Sequence, residues 1–408
     1  MTTKERKHKR GDRLQVQVEK LAVGGKGVAR HEGLVIFVSD AAPEEKVEIE
    51  LTFVKKNFAE ARLLRVLSPS RFRITPPCPV AGICGGCSWQ HVEYEEQLRQ
   101  KRLLVAESLR KFSGQSFEVD NVLPVIASPK PFRYRNRVQL HHSGPKLGYH
   151  RRGSHDIVDI EDCPITEEVL AQRIPILKKE LAHLKAGRIE IAITTDGKIR
   201  ERKSGKQDQA DEPASEVTGP AFSQVNTEQN RNLIDFVLKA FVEEISKETG
   251  KETPGGVQID IYDLYSGSGN FTFPLADQFP QARLIAAELN AEAVALGRER
   301  AERESSKRAR TIEFHEADIE TFLEGRSFST RSFVLLDPPR AGCGLAVMEK
   351  LAEAQPEAIV YVSCHPVTLA RDLKTLIEKG YEVLSVQPFD MFPQTDHIEC
   401  VARLRRSR

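Results

Sequence analysis

No stretch of the chain approaches the ~18 consecutive apolar residues of a membrane-spanning helix, and the opening MTTKERKHKRGDR has no apolar middle of the kind a secretion signal carries. These absences predict a protein without a membrane span, located in the cytoplasm. Net charge is nearly absent too. Sixty Lys and Arg face 59 Asp and Glu, so contact with a polyanion would need positive charge gathered locally. Cysteine is scarce and odd in number: seven (Cys78, Cys84, Cys87, Cys163, Cys343, Cys364, Cys400) among 408 residues. That count argues against a disulfide framework and leaves metal binding and catalysis as uses for thiols. Hydrophobic residues at 40% supply real cores, and the length allows two to four domains of roughly 100–200 residues.

The pattern divides the chain into three. Residues 1–67 carry a basic tail followed by short alternating runs, with Val16 and Val18, then Val35, Phe37 and Val38, then Val47, Ile49 and Leu51, between Gly- or Pro-containing turns. They predict a small five-stranded, OB-like barrel of the type that binds oligonucleotides, with Lys20, Lys26, Arg30, Lys55, Lys56, Arg62 and Arg65 beside Phe58. Residues 68–219 read as a β-rich central domain. One helix over 94–112 interrupts it, with Leu98, Leu103, Val105 and Leu109 near helical spacing, and is expected to pack on the C-terminal domain. The domain ends in SGKQDQADEPASEV, too polar to order a core and read as a linker. From 220 to 408 strands and helices alternate, which predicts an α/β, doubly wound Rossmann-like sheet with its ligand at the C-terminal strand ends. The closing runs YEVLSVQPFDMFP and HIECVARLRRSR are expected to form an edge hairpin.

Several turns in that last region carry chemistry. Ser266-Gly267-Ser268-Gly269-Asn270 follows a strand, and Glu288 closes the next one, where a carboxylate can accept ribose hydroxyls. The pairing suits a dinucleotide or S-adenosylmethionine; Phe271-Thr272 in place of a third glycine favours the methyl donor. Asp337-Pro338-Pro339-Arg340 and Cys364 each follow a further strand, so Asp337 reads as a ligand contact and Cys364 as a candidate nucleophile. The ordinary alternatives are a rigid turn and a buried thiol acting as a small hydrophobe. Cys78, Cys84 and Cys87, with Cys163 downstream, permit either Zn²⁺ or a [4Fe–4S] cluster.

Taken together, FSQVN at 222–226, DLYSGSGNFT at 263–272, DPPRAG at 337–342, YVSCHPVTLARDL at 361–373 and FPQTDHIE at 392–399 resemble the RNA uracil-5-methyltransferases. The barrel resembles that family's TRAM domain, and CPVAGICGGCSWQH at 78–91 its iron–sulfur motif. The resemblance implies a class I methyltransferase sheet behind the barrel and central domain. It implies Cys364 as nucleophile and Glu399 as general base, with Gln224, Tyr265, Asn270, Glu288, Asp318 and Asp337 holding S-adenosylmethionine. Cys78, Cys84, Cys87 and Cys163 would hold a [4Fe–4S] cluster. The implied substrate is RNA, 23S rRNA before tRNA, with no protein partner and a monomeric enzyme. Two positions depart from the pattern: His365 stands where Asn is usual and Ser266 where Cys is common. A DNA or protein methyltransferase would need no Cys364 and Glu399 pair, and a purely RNA-binding relic would not keep the set intact.

Basic clusters at Lys4 to Arg13, Arg133 to Arg137, His150 to Arg152 and Arg403 to Arg408 are expected to meet phosphates. Reaching Cys364 requires the target uridine to leave its stack.

Overall fold

Alternation of inward and outward residues closes the first five strands into a barrel of order β1-β2-β3-β5-β4. These are β1 (Arg13–Leu21), β2 (Gly27–His31), β3 (Leu34–Ser39), β4 (Lys46–Val54) and β5 (Phe58–Ser68). Val16, Val18, Ile36, Val38, Val47, Ile49, Leu51, Ala59 and Ala61 fill it. In β3 the inward set is Leu34, Ile36 and Val38, so Val35 and Phe37, both apolar, sit half-buried on the outside. With a period of two, an all-apolar run does not reveal which face points in.

The computed structural model describes residues 8–194, 196–205, 224–249, 258–304, 312–326, 328 and 331–407. Most of the expected linker and the first residues of the basic tail, with Phe222 and Ser223 of FSQVN, lie outside the described residues. The chain divides into two compact units, one of residues 1–104, 128–212 and 392–397, the other of 105–127, 213–391 and 398–408.

The first unit holds the barrel and an antiparallel sheet of order β10-β9-β6-β7-β8. Its strands are β6 (Arg137–Ser143), β7 (Lys146–His150), β8 (Ile157–Asp159), β9 (Gly187–Ile193) and β10 (Ile199–Gly205). The helices α2 (Glu168–Ala171) and α3 (Ile174–Leu181) lie between β8 and β9 in the chain. In α3, Ile174, Leu177 and Leu181 repeat at helical spacing and pack with Leu140, Ile189 and Ile191 of the sheet. Before them comes α1 (Tyr94–Phe112). Its first half buries polar residues: Gln97 donates to the carbonyls of Trp89 and Val92 and Gln100 accepts the Leu21 N–H. Leu98 and Leu103, expected on the apolar face, are only half-buried, whereas Val105 and Leu109 are fully buried in the second unit's core.

The second unit contains α4 (Thr227–Thr249), then alternates β11 (Asp260–Leu264), α5 (Thr272–Gln278), β12 (Arg283–Glu288), α6 (Ala291–Glu304), β13 (Ile312–Glu316), α7 (Ile319–Leu323), β14 (Ser332–Leu336), α8 (Leu345–Ala354), β15 (Ala358–Ser363) and α9 (Pro366–Glu378). The hairpin β16 (Tyr381–Phe389) and β17 (Glu399–Arg406) ends the chain. The sheet order is β13-β12-β11-β14-β15-β17-β16, with β11 to β15 parallel and β17 antiparallel to both neighbours. β11, β14 and β15 are buried along their whole length, as expected for strands covered on both faces. This is the Rossmann-like sheet, and its order reverses at β11, between β12 and β14, which opens a crevice at the C-terminal strand ends. No described helix is long and apolar enough to cross a membrane.

His365 finds its explanation here. It is the N-cap of α9, with extended backbone and a ring nitrogen, Nδ1, that accepts the Thr368 N–H at 3.4 Å; Pro366 follows at the first helical position. Asn caps helices by the same acceptor geometry, so the substitution keeps the function with a ring. We predict that His365→Asn leaves thermal stability near that of the unaltered protein. His365→Ala should lose about 1 kcal/mol, within the range known for cap removal. Equal stability of the Ala and Asn variants would show that the cap is not what His365 supplies.

Candidate active site and cysteine pocket

Parallel register delivers the expected residues to one edge of the second unit's sheet. Leu264 pairs with Ala287 and Leu336, and Leu336 with Tyr361, so Tyr265, Glu288, Asp337 and Cys364 all stand just at or beyond strand ends. Ser363 pairs with Cys400 in the antiparallel direction, which sets Glu399, the first residue of β17, across from Cys364. The glycine turn is held by Glu288: its Oε2 accepts the Gly267 N–H at 3.1 Å and its Oε1 the Asn290 N–H at 2.8 Å. Gly269 sits at φ +96°, and a Cβ there would come within 2.5 Å of the Phe273 ring, so only glycine fits. Ser266 is buried, its N–H on the Ala287 carbonyl. The Asn270 and Asn230 side chains pair at 2.9 Å, tying the turn to α4, and Gln224 is half-buried on the segment that leads into that helix. Asp318 caps α7, accepting the N–H groups of Glu320 and Thr321 with Oδ1.

Electrostatics at this edge are crowded with acid. Asp263 is wholly buried, accepts the Thr272 hydroxyl at 2.5 Å, and is pushed up to about 7 by burial with Glu288 nearby. Burial and the neighbouring Asp263 raise Asp337 as well. Glu399 is held well above the usual carboxylate range by burial and by Asp337. The Cys364 thiol is raised to about 11 by burial, then by Glu399 and Asp337, with Arg340 opposing. Four groups that would each be negative thus share a desolvated space, and each holds its proton more tightly for it.

Beside them runs a hydrogen-bonded chain that joins Tyr361, Arg371 and Asp372 of the 361–373 motif to Cys343, a pairing that the motif by itself did not show. Asp372, on α9, accepts the Tyr361 hydroxyl at 2.7 Å and the Cys343 N–H at 2.8 Å with Oδ2, while Arg371 donates to Oδ1 and to the Ala341 carbonyl. Cys343 Sγ lies 3.5 Å from the Tyr361 hydroxyl, and burial pushes its thiol up to about 12. The turn after Asp337 is thereby fastened to the helix that follows Cys364. Cys343 packs within this network, and Cys400 is fully buried in the core.

In the first unit, Cys78, Cys84, Cys87 and Cys163 line one pocket with Gln90, Arg135, Tyr149 and Asp162. The loop carrying the first three is pinned against the end of β7, where the Gly85 N–H reaches the His150 carbonyl and the Arg152 N–H that of Ile83. Gln90, buried, accepts the Cys78 N–H at 3.2 Å and hydrogen-bonds Cys87. Tyr149 directs its hydroxyl at Cys163 Sγ, 3.8 Å away. Burial raises Cys78 and Cys84 and pushes Cys87 up to about 12, so these thiolates require a positive centre to exist together. The Arg135 guanidinium is buried at this pocket and its Nε has no hydrogen-bond partner.

The barrel carries an outward aromatic group. Phe58 lies 6.0 Å from Phe37 and 6.1 Å from Phe53, with Lys55 Nζ 5.5 and 5.6 Å from the Phe53 and Phe58 rings. Elsewhere the arginine clusters are largely spent on partners within the protein. Arg133 pairs with Asp162 and Glu168, Arg152 with Asp40, Arg403 and Arg405 with Glu244, and Arg406 with Glu357. These arginines therefore serve the fold first, because carboxylates distant in sequence face them.

Comparison with known proteins identifies the family and the fold. Residues 214–407 match the tRNA (Uracil-5-)-methyltransferase family model and residues 7–64 the TRAM domain. An uncharacterized RNA methyltransferase of Bdellovibrio bacteriovorus is 42% identical over 97% of this chain and 95% of its own. A 23S rRNA (uracil(1939)-C(5))-methyltransferase of Pectobacterium atrosepticum is 31% identical over 95% of this chain and 93% of its own. In fold, the chain is similar to the crystal structure of the Pyrococcus abyssi tRNA (uracil-54, C5)-methyltransferase in complex with S-adenosyl-L-homocysteine, at 23% identity, with a TM-score of 0.70 over 96% of this chain and 100% of that one. The chain belongs to the RNA (uracil-5-)-methyltransferase family.

Proposed function

We propose that the chain methylates carbon 5 of one uridine in 23S rRNA, through a covalent bond from Cys364 Sγ to carbon 6 of the base that Glu399 later releases. The observation that carries this reading is the placement of Cys364 and Glu399 across the β15–β17 pair, with Asp337 beside them at the crevice edge. The substrate is favoured by the near-complete coverage of a 23S rRNA enzyme; a tRNA uridine is the alternative target for the same chemistry.

Carbon 5 of uracil is a poor nucleophile, whereas carbon 6 accepts a thiolate because it is conjugated to the 4-carbonyl. S-adenosylmethionine supplies an electrophilic methyl on a sulfonium. Cys364 adds at carbon 6 and turns carbon 5 into an enolate carbon able to take that methyl. Glu399 then removes the proton left on carbon 5, and the thiolate departs as the double bond returns. Glu288 would take the ribose, Asp318 the adenine end and Asp337 the reacting centre, with Gln224, Tyr265 and Asn270 completing the contacts. The donor's positive charge also has an electrostatic consequence. Placed beside Asp337, Glu399 and Cys364, it favours the charged form of each and so the thiolate that the reaction needs.

For the cysteine pocket the reading is a [4Fe–4S] cluster held by Cys78, Cys84, Cys87 and Cys163, supported by the convergence of the four thiols on one pocket and by the resemblance of residues 78–91 to the family's iron–sulfur motif. Zn²⁺ is the alternative that the same four thiols permit. The cluster's negative charge would also compensate Arg135. Methyl transfer involves no electron, so the cluster braces the loop and the RNA-binding face. On the barrel, Phe37, Phe53 and Phe58 offer base-stacking surface with Lys55 for phosphate.

Two outcomes are expected. On a denaturing gel with substrate RNA, Glu399→Gln should accumulate a covalent protein–RNA complex after methylation, whereas Cys364→Ala should form none; equal traces would reverse the roles. Anaerobically purified protein should be brown and contain iron and sulfide. Replacing any of the four cysteines should remove the colour, while stoichiometric zinc without iron would contradict the cluster.

A further inference from the structure

A second metal-ligating group lies on the barrel, apart from the cysteines. We propose that His8, His31 and Glu32 form a site for a divalent transition metal, of the Zn²⁺ class, that fastens the basic N-terminal segment to the β2–β3 hairpin. Ligand atoms of the three side chains all lie within 4.8 Å of one another. His8 Nε2 stands 3.5 Å and His31 Nε2 4.0 Å from the same carboxylate oxygen, Glu32 Oε2, and the two imidazoles meet edge to face at 5.4 Å. Tetrahedral Zn²⁺ with ligands at ~2.0–2.1 Å would set such atoms about 3.3 Å apart, so the two distances from imidazole nitrogen to carboxylate oxygen need to close by less than an ångström.

The backbone presents these groups without strain elsewhere. Glu32 and Gly33, at φ +48° and +85°, are the two central residues of the hairpin turn, whose flanking pair is His31 and Leu34. His8 is brought to them by a turn of its own: Asp12 accepts the Lys9 N–H at 2.8 Å, and the Gly11 N–H donates to the Leu51 carbonyl of β4 at 2.8 Å. The His8 side chain is 12% exposed, and its Nε2 is buried with no hydrogen-bond partner. A buried ring nitrogen in that state carries a desolvation cost that an ion pair at 3.5 Å does not recover and a coordinate bond would. Glu32 is 44% exposed, so solvent can reach the group and water can supply a fourth ligand. Two imidazoles and one carboxylate with an open position suit Zn²⁺, and also Ni²⁺ or Cu²⁺, over the hard cations Mg²⁺ and Ca²⁺. Occupation would hold Lys9 and Arg10 against the barrel.

The test uses the full-length protein with its cysteine pocket loaded, titrated calorimetrically with ZnCl₂. One saturable equivalent is expected in the unaltered protein, and His8→Ala, His31→Ala and Glu32→Gln should each weaken it at least about tenfold, the loss that even an outer-shell change causes at metal sites. His8 lies outside the strands, so its replacement leaves the barrel intact. Trypsin cleavage after Lys9 and Arg10 should slow when Zn²⁺ is added to the unaltered protein and not when it is added to His8→Ala. Absence of a saturable equivalent, an unchanged isotherm in His8→Ala, or Zn²⁺ binding without protection would each overturn the proposal.

Discussion

Desolvated carboxyl groups at the end of a parallel sheet are the constraint around which the second unit is organised. Asp263, Asp337 and Glu399 arrive there because register lines up the ends of β11 and β14 with the start of β17. Burial makes each a weak acid in the absence of a cation. Such an arrangement costs stability as pH rises. A carboxyl whose folded pKa exceeds its unfolded one favours the fold fully below the unfolded value, and that contribution is lost as pH climbs through the folded value. For Asp263 the window runs from the ordinary carboxylate range to about 7. Under the proposed function, the cationic methyl donor is the group that favours the charged form of these carboxyls.

The hydrogen-bonded frame around this edge keeps the acidic groups from relaxing apart. Asp372 ties Tyr361, Cys343 and Arg371 into one unit, and Thr272 and Glu288 hold the glycine turn. In the first unit burial likewise raises three of the pocket's thiols, beside a buried Arg135 whose Nε has no hydrogen-bond partner.

Much of this was legible in the sequence because it depends on local pattern. Alternating strands and helices gave the Rossmann-like sheet, and the segments at 266–270, 337–340 and 364 were expected where they stand, after the C-terminal ends of its strands. Long-range contacts were not legible. The polar buried face of α1 exists because Gln97 and Gln100 satisfy backbone groups of other segments, which apolar periodicity does not register. The arginines of the chain's end read as an exposed basic patch, yet Glu244, about 160 residues away, pairs with Arg403 and Arg405. His365 read as a departure from a motif, and only its ring nitrogen on Thr368 shows that the capping role is kept. Phe37 read only as one apolar residue of a strand, and the period-two register turned it outward to join Phe53 and Phe58.

The central claim is that the buried acids wait for a positive charge. It can be tested by calorimetric titration near pH 7 in buffers of different ionisation enthalpy, comparing S-adenosylmethionine with S-adenosylhomocysteine. The two ligands differ in the sulfonium methyl and its charge. More protons should be released on binding the sulfonium, as Asp337 and its neighbours ionise beside it. Equal proton release for both ligands would contradict the account.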